Sequence, residues 1–336
     1  MPDKPRIAIT MGDPSGIGPE VVVKALIEKR QIYEWSTPFV VGSLKGFDSI
    51  REHLSSDVTI RSISSPDEAS GKHMVIDVLN TDGFEDQPFP LGEHSVLSGT
   101  ASHTWVETAA KMCQSGAIDA MVTAPINKES WQMSETSDVG HQEVFRRLSG
   151  SEYVATMLVS GTLRCMHLST HKPLSEAVAY VTRENVLRAI RLTDKHFREW
   201  GFDPPRIAVA GVNPHASDNG LIGREELDEI GPAVEDAVSE GIEATGPVPA
   251  DSVFNQAIAG RHDVVAVMYH DQGHIAIKVH GFEESISVNL GIPWLRTSVD
   301  HGTAFDITGK WVADETSMIE AIRIATDLAS GRALSA

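Results

Sequence analysis

The chain has 336 residues, 47 Asp and Glu against 28 Lys and Arg, and a formal net charge of −19 with its 14 histidines neutral. That excess argues against a nucleic-acid groove and against a general affinity for anionic membranes, because a phosphate surface is repelled at long range and an anionic ligand must be caught locally. With 41% hydrophobic and 22% charged residues the composition is that of a folded globular chain, long enough for one large or two medium domains.

Only two cysteines occur, Cys113 and Cys165, each in an apolar stretch. They suit a reducing compartment and packing roles better than a disulfide framework. The start, Met1-Pro2-Asp3-Lys4-Pro5, runs straight into RIAIT without the basic segment and apolar core of a signal peptide. No apolar run approaches the roughly 20 residues of a membrane span. The expectation is a soluble, cytoplasmic protein.

Short runs rich in Val, Ile and Ala alternate with segments of helical period, the βαβ pattern of a mainly parallel sheet. In chain order the pattern predicts strands at 6–10, 39–42, 118–124, 206–211 and 264–270. Helices are predicted at about 18–30, 99–115, 182–200, 223–240, 251–259 and 315–329, with Asp251 as N-cap of the fifth. No repeat, low-complexity tract or Gly/Ser linker marks a joint between domains.

The glycine cluster Gly12-Asp13-Pro14-Ser15-Gly16-Ile17-Gly18-Pro19-Glu20 follows a strand and opens a helix, with Pro19 suited to the first turn. Such a turn can offer backbone N–H groups to an anion or cofactor, or can be a plain tight turn. Neither the dinucleotide G-x-G-x-x-G nor the Walker motif is present in it. Thr123-Ala124-Pro125-Ile126-Asn127-Lys128 stands at the end of the strand predicted at 118–124, and Gly140-His141-Gln142-Glu143 opens a helix where an imidazole and an amide would supplement the dipole for an anion. His141 reads equally well as a cap or turn residue.

Three histidines, His171, His215 and His270, stand at or just beyond the ends of apolar strands. Strand ends of a parallel sheet converge on one edge, so three separated segments can gather three imidazoles around a divalent ion with positions left open for substrate. The residues alone leave open that these are ordinary loop or core histidines, and His167, His274 and His301 fit the same logic. Beyond His270 come Asp271, Lys278, Ser287, Asn289 and Arg296, then Asp300-His301-Gly302-Thr303. Lys278 and Arg296 are suited to a phosphate or carboxylate.

GDPSGIGPE at 12–20, TAPINK at 123–128, GHQE at 140–143, THKPL at 170–174, GVNPHASDNG at 211–220, GPVPAD at 246–251, YHDQGH at 269–274 and RTSVDHGTAFDITG at 296–309 occur in that order. Together they resemble the 4-hydroxythreonine-4-phosphate dehydrogenase family of pyridoxine biosynthesis, which includes paralogues acting on threonate and erythronate 4-phosphates. The resemblance spans residues 6 to about 328. It implies two α/β/α domains with mainly parallel sheets, similar to isocitrate and isopropylmalate dehydrogenases, with the active site in the cleft between them. The domains so expected are 1–130 plus 305–336, and 131–304 carrying the metal ligands and dimer contacts.

By the same resemblance His171, His215 and His270 match metal ligands for one divalent ion, Zn, Mn, Co, Ni or Mg. Lys278 and Arg296 match substrate contacts, and His141 a contact supplied across a homodimer interface. Asp251 and Asp271 match acidic residues near the reacting carbons, with Lys278 a further catalytic candidate. His301, Gly302 and Thr303 resemble the cofactor loop for NAD or NADP, with Gly12 and Asp13 assigned beside it. Two positions depart from the family pattern: Gln142 stands where Thr is usual, and Ser287 where Asn is usual. Both touch substrate in the family, so the reaction class carries over more safely than the acid.

The implied reaction is oxidation of a secondary alcohol β to a carboxylate, with loss of CO2 from the β-keto acid. The first reading of the substrate is 4-hydroxy-L-threonine 4-phosphate, giving 3-amino-2-oxopropyl phosphate. The alternatives are D-threonate or D-erythronate 4-phosphate and, from other classes, a metal-dependent hydrolase or lyase or a non-catalytic binding relative.

Overall fold

The computed structural model describes residues 4–81, 83–84 and 88–333. Met1, Pro2 and Asp3, where the N-terminal reading begins, and 334–336, the end of the expected first domain, lie outside the described residues. Twelve strands are numbered in chain order among the described residues: β1 Arg6–Thr10, β2 Thr37–Gly42, β3 Thr59–Ile63, β4 Val75–Asn80, β5 Ala120–Thr123 and β6 Ala155–Ser160 come first. They are followed by β7 Leu163–His167, β8 Ile207–Ala210, β9 Ala244–Val248, β10 Val264–Val267, β11 Ile286–Leu290 and β12 Leu295–Val299.

The chain divides into two compact units, Met1–Glu152 with Ile292–Ser330, and Tyr153–Gly291 with Gly331–Ala336. The expected joints at 130/131 and 304/305 therefore fall inside the first unit. The reason is packing: helices Lys128–Met133 and His141–Ser149 lie against helix Val96–Gln114. In addition, β12 pairs in parallel with β5, Arg296 opposite Met121 and Ser298 opposite Thr123.

The first unit is a parallel sheet in the order β3-β4-β2-β1-β5-β12. Its central strands are buried along almost their whole length, Ile7, Ala8 and Ile9 in β1 and Phe39, Val40 and Val41 in β2 having no exposed surface. Such strands read as continuous apolar runs, as parallel sheets covered by helices require. Each buried Val, Ile or Phe contributes roughly 1.5–3 kcal/mol of transfer free energy. Helix Val96–Gln114 is capped by Ser95, whose Oγ accepts the Ser98 N–H at 2.9 Å, and packs on β1, β2 and β5.

The second unit runs β11-β6-β7-β10-β8-β9, with β11/β6 and β6/β7 antiparallel and the remaining pairs parallel. Its core gathers Leu158, Leu163, Cys165, Ala208, Val265, Val267 and Ile277. Helix Arg183–Glu199 begins at Thr182, whose Oγ1 accepts from Asn185 N–H, and buries Val186, Ala189, Ile190, Thr193 and Phe197 at helical spacing.

Three local expectations change. The apolar run at 264–270 stops being strand at Val267, and His270 is the first residue of a helix reaching His280. Pro249, not Asp251, is the N-cap of helix Ala250–Ile258, and Asp251 sits in its first turn. The helix expected from 223 begins as a wider turn at Glu226–Ile230 and is α-helical only over Gly231–Ser239. Both cysteines are free, and burial pushes the Cys113 thiol up to about 12 and Cys165 higher, so neither is a thiolate near neutrality.

Candidate active site

In the first unit, β12 carries Arg296 beside the end of β5. Its Nε and Nη2 donate to Thr123 Oγ1 at 3.0 and 2.6 Å, and the guanidinium lies 5.4 Å over the Phe145 ring. The residue is 5% exposed, and burial alone pushes its pKa down to about 9. A cation held this dry favours any anion that can reach it, because the desolvation cost is already met by the fold.

His141 opens helix His141–Ser149 behind Gly140, with its ring edge-on to Trp131 at 5.8 Å and stacked with Phe145 at 6.0 Å. Its Nε2 is buried and has no hydrogen-bond partner. Burial, then the charges of Arg296 and Lys128, hold the imidazole well below its ordinary pKa. His141 thus faces Arg296 of its own chain, and no second copy is needed to bring these two together. Gln142 follows at the second helical position, partly buried. An anion here would meet the helix N-terminus, a guanidinium and an imidazole.

The glycine cluster of the same unit is a packed turn. The N–H groups of Asp13, Ser15, Gly16 and Ile17 donate to Pro125 O, Asp13 Oδ1, Asp13 O and Thr303 O, so these four amides are spent inside the fold. The close approach needs glycine: at Gly12, φ +75°, a Cβ would lie 2.5 Å from Pro125 O, and at Gly16 one would lie 2.7 Å from Thr303 O. Asp13 is fully buried, and burial, against the Ser15 N–H, raises its pKa to about 6. The structure therefore sets Thr303 against Gly16 and Ile17 at the far side of this turn, while Gly12 and Asp13 lie against Pro125, and His301 and Gly302 precede Thr303 in sequence. His301 is exposed with Nδ1 on Gly302 O at 3.0 Å, and a Cβ on Gly302 would meet nothing within 4 Å.

In the second unit His171, His215 and His270 follow the ends of β7, β8 and β10. His171 and His270 have ring centroids 6.2 Å apart. His215 lines a cavity of about 290 Å³ with Asn213, Asp251, Tyr269 and Gln272. His270 Nδ1 lies 2.7 Å from Asp271 Oδ1, and His215 Nδ1 lies 3.3 Å from Asp218 Oδ2. A carboxylate on Nδ1 makes that nitrogen the donor and leaves the lone pair on Nε2, the arrangement of metal-binding imidazoles. Asp271 is thereby engaged with a histidine, while Asp251 is exposed at the cavity. Lys278 donates to Ser285 Oγ at 3.4 Å and lies 4.8 Å over Phe282. Ser287 and Asn289 lie on one face of β11, with Asn289 buried and its Nδ2 3.5 Å from Ala155 O.

His215 is carried on backbone that few sequences adopt. His215, Ala216, Ser217, Asp218 and Asn219 all have positive φ, from +45° to +70°. Left-handed conformation costs about 1–2 kcal/mol for each such residue. The turn is anchored by Glu226, 2% exposed, whose Oε1 accepts the N–H groups of Val212 and Asn213 at 2.7 Å each. Glu226 had no signal in the sequence, because its role depends on a loop that lies beside it only after folding. Strain held in place this way is characteristic of functional loops.

Among the described residues one group of acidic and imidazole side chains has its donor atoms close enough together to hold a cation, and it is not the three histidines. His103, Glu107 and Asp138 have donor atoms within 4.8 Å of one another. Arg147 occupies it, donating to Asp138 and Glu107, so the cluster is a filled ion-pair network.

A family model described as pyridoxal phosphate biosynthetic protein PdxA matches residues 34–325. The chain belongs to the PdxA family. A D-threonate 4-phosphate dehydrogenase of Cupriavidus necator is 40% identical, covering 98% of each chain. A Halalkalibacterium halodurans protein provisionally given the same name is 43% identical, again over 98% of each. The crystal structure of a 4-hydroxythreonine-4-phosphate dehydrogenase from Burkholderia phymatum superposes with a TM-score of 0.87 at 40% identity, covering 97% of this chain and 98% of that one. PdxA relatives are thus dehydrogenases acting on a hydroxyl group of phosphorylated substrates, and the mixed α/β architecture with mostly parallel pairing is theirs. No helix among the described residues is long and apolar enough to cross a membrane.

Proposed function

We propose that this PdxA-family chain is an NAD(P)- and divalent-metal-dependent dehydrogenase that oxidises the 3-hydroxyl of D-threonate 4-phosphate. The resulting β-keto acid loses its carboxylate as CO2. The observation that carries the class is the buried Arg296 guanidinium beside His141 in a chain of net charge −19. The curated relatives named for D-threonate 4-phosphate, at 40% and 43% identity, support this acid over 4-hydroxythreonine 4-phosphate.

Arg296 and His141 are assigned to the phosphate, with Lys278, Gln142 and Ser287 as further substrate contacts. Arg296, held by Thr123, brings a guanidinium charge to phosphate oxygens, and neutral His141 donates one N–H. The donor set of the second unit fits a divalent ion held by His171, His215 and His270, two of which carry a carboxylate on Nδ1. Such nitrogen ligands suit Zn, Mn, Co or Ni better than Mg. The bound ion would lower the pKa of the substrate hydroxyl and polarise the ketone, and the nicotinamide would accept the hydride. Asp271 orients His270, so Asp251 is the better placed of the two carboxylates to accept the hydroxyl proton. The segment His301–Thr303, packed through Thr303 on Gly16 and Ile17 of the glycine turn, is assigned to the cofactor with Gly12 and Asp13.

A homodimer belongs to the same reading. Ile275 and Val279 of helix His270–His280, 60% and 81% exposed, line a groove of about 680 Å³ with Phe254 and Ile258, and Phe282 just after the helix is 65% exposed.

The test is nicotinamide reduction by the metal-loaded protein with D-threonate, D-erythronate and 4-hydroxy-L-threonine 4-phosphates. The reading expects the highest kcat/KM with D-threonate 4-phosphate. Preference for the amino acid would return the first reading, and product formed without nicotinamide reduction would favour a lyase.

A further inference from the structure

Behind the histidines assigned to the metal lies a second layer that the proposed chemistry does not use. His167, the last residue of β7, is 1% exposed, and its Nδ1 lies 3.2 Å from the Thr156 carbonyl of β6. Its Nε2 lies 3.1 Å from His274 Nδ1, which is also 3.0 Å from the carbonyl of His270. The His274 ring is stacked on that of His270, with centroids 3.5 Å apart and planes at 12°.

The geometry points to His167 as a positioning residue that, through His274, fixes the ring of His270. This rests on the reading of His270 as a metal ligand. The hydrogen positions follow from the partners. A carbonyl only accepts, so His274 Nδ1 must carry its hydrogen, facing the His270 carbonyl. His167 Nε2, facing the same hydrogen, must then be an acceptor. His167 Nδ1 carries the remaining hydrogen and donates it to Thr156. Both tautomers are thus set by two backbone carbonyls, at β6 and at the first turn of the helix. The His270 ring is confined on one face by the fixed His274 ring and at Nδ1 by Asp271, which leaves its Nε2 with one direction.

Gly273 makes this layer possible. A Cβ there would lie 2.4 Å from His167 Nε2 and 2.8 Å from Val267 Cγ2. A glycine inside a helix costs roughly 1 kcal/mol relative to alanine, and here it admits the imidazole against the helix backbone. Because second-layer partners of metal ligands commonly alter affinity by 10–100-fold, the network should be legible in binding itself.

The experiment compares zinc affinity, by chelator competition, for wild type, His167→Leu, His167→Gln and Gly273→Ala, with His215→Ala and His270→Ala as controls. Imidazole 15N NMR of the metal-free proteins reports the tautomers. Glutamine can place an acceptor oxygen where His167 Nε2 stands, whereas leucine cannot. The expected result is about a tenfold loss of affinity for His167→Leu and Gly273→Ala, with His167→Gln within about twofold of wild type. His274 should show Nδ1–H in wild type and in His167→Gln. Gly273→Ala retains every histidine, so it decides the question if the leucine variant fails to fold. Wild-type zinc affinity in a folded Gly273→Ala or His167→Leu protein, or an Nε2–H tautomer at His274, overturns the inference. If both control variants bind zinc as wild type does, the metal reading itself has failed and the positioning role falls with it.

Discussion

The two units hold their polar groups in opposite ways. In the first, Arg296 and His141 are packed among Thr123, Trp131 and Phe145, and burial lowers the pKa of both. In the second, His215 and His270 have side chains 63% and 39% exposed, each with a carboxylate at Nδ1. The difference follows from the ligands proposed for them. A phosphate must be drawn to a −19 chain by cations whose water is already removed, whereas a metal site needs imidazoles with open Nε2 lone pairs and room for substrate.

This contrast breaks most readily at Arg296. Arg296→Ala is expected to lower kcat/KM for the phosphorylated acid about a thousandfold, since two charge-assisted hydrogen bonds are worth roughly 4 kcal/mol. The loss should shrink sharply with the unphosphorylated acid. Equal losses on both substrates would remove Arg296 from the phosphate. His215→Ala should instead weaken metal binding by at least about a hundredfold while leaving the affinity for inorganic phosphate close to wild type, as calorimetry can read. Loss of both together would merge the two sites the comparison separates.

A smaller effect sharpens the meaning of burial in the first unit. Asp13 has its folded pKa raised to about 6 from 3.8, so the folded state binds its proton more tightly than the unfolded chain does. Its cost as a carboxylate, about 3 kcal/mol, is fully present above the folded value and vanishes below the unfolded one. Asp13→Asn should therefore raise Tm at pH 8 and leave it nearly unchanged near pH 3.5. A gain independent of pH would show that charge burial is not the cause.

Much of this was legible in the residues because the parallel strands are continuous Val, Ile and Ala runs, as at Arg6–Thr10 and Val264–Val267. Strands such as β3, TIRSI, with four of five residues at least partly exposed, and β9, ATGPV, carry no such run and so no strand signal. The helix at His270 was hidden by its polar first turn and by Gly273, a residue placed there for His167 rather than for helix propensity. The histidine set was visible as residue types at strand ends, but its organisation was not. The left-handed run His215–Asn219, the buried Glu226 that anchors it and the fixed tautomers of His167 and His274 depend on distant segments meeting. The glycine cluster shows the converse: its residues suit either an anion site or a tight turn, and Pro125, Thr303 and Asp13 itself take up the amides.

The account is tested most directly by following NAD+ or NADP+ reduction with D-threonate 4-phosphate in protein stripped by chelator and then reloaded with a divalent metal. It predicts no reduction in the stripped protein and recovery on adding zinc, manganese, cobalt or nickel. Undiminished reduction by the stripped protein, or none by the reloaded one, would contradict it.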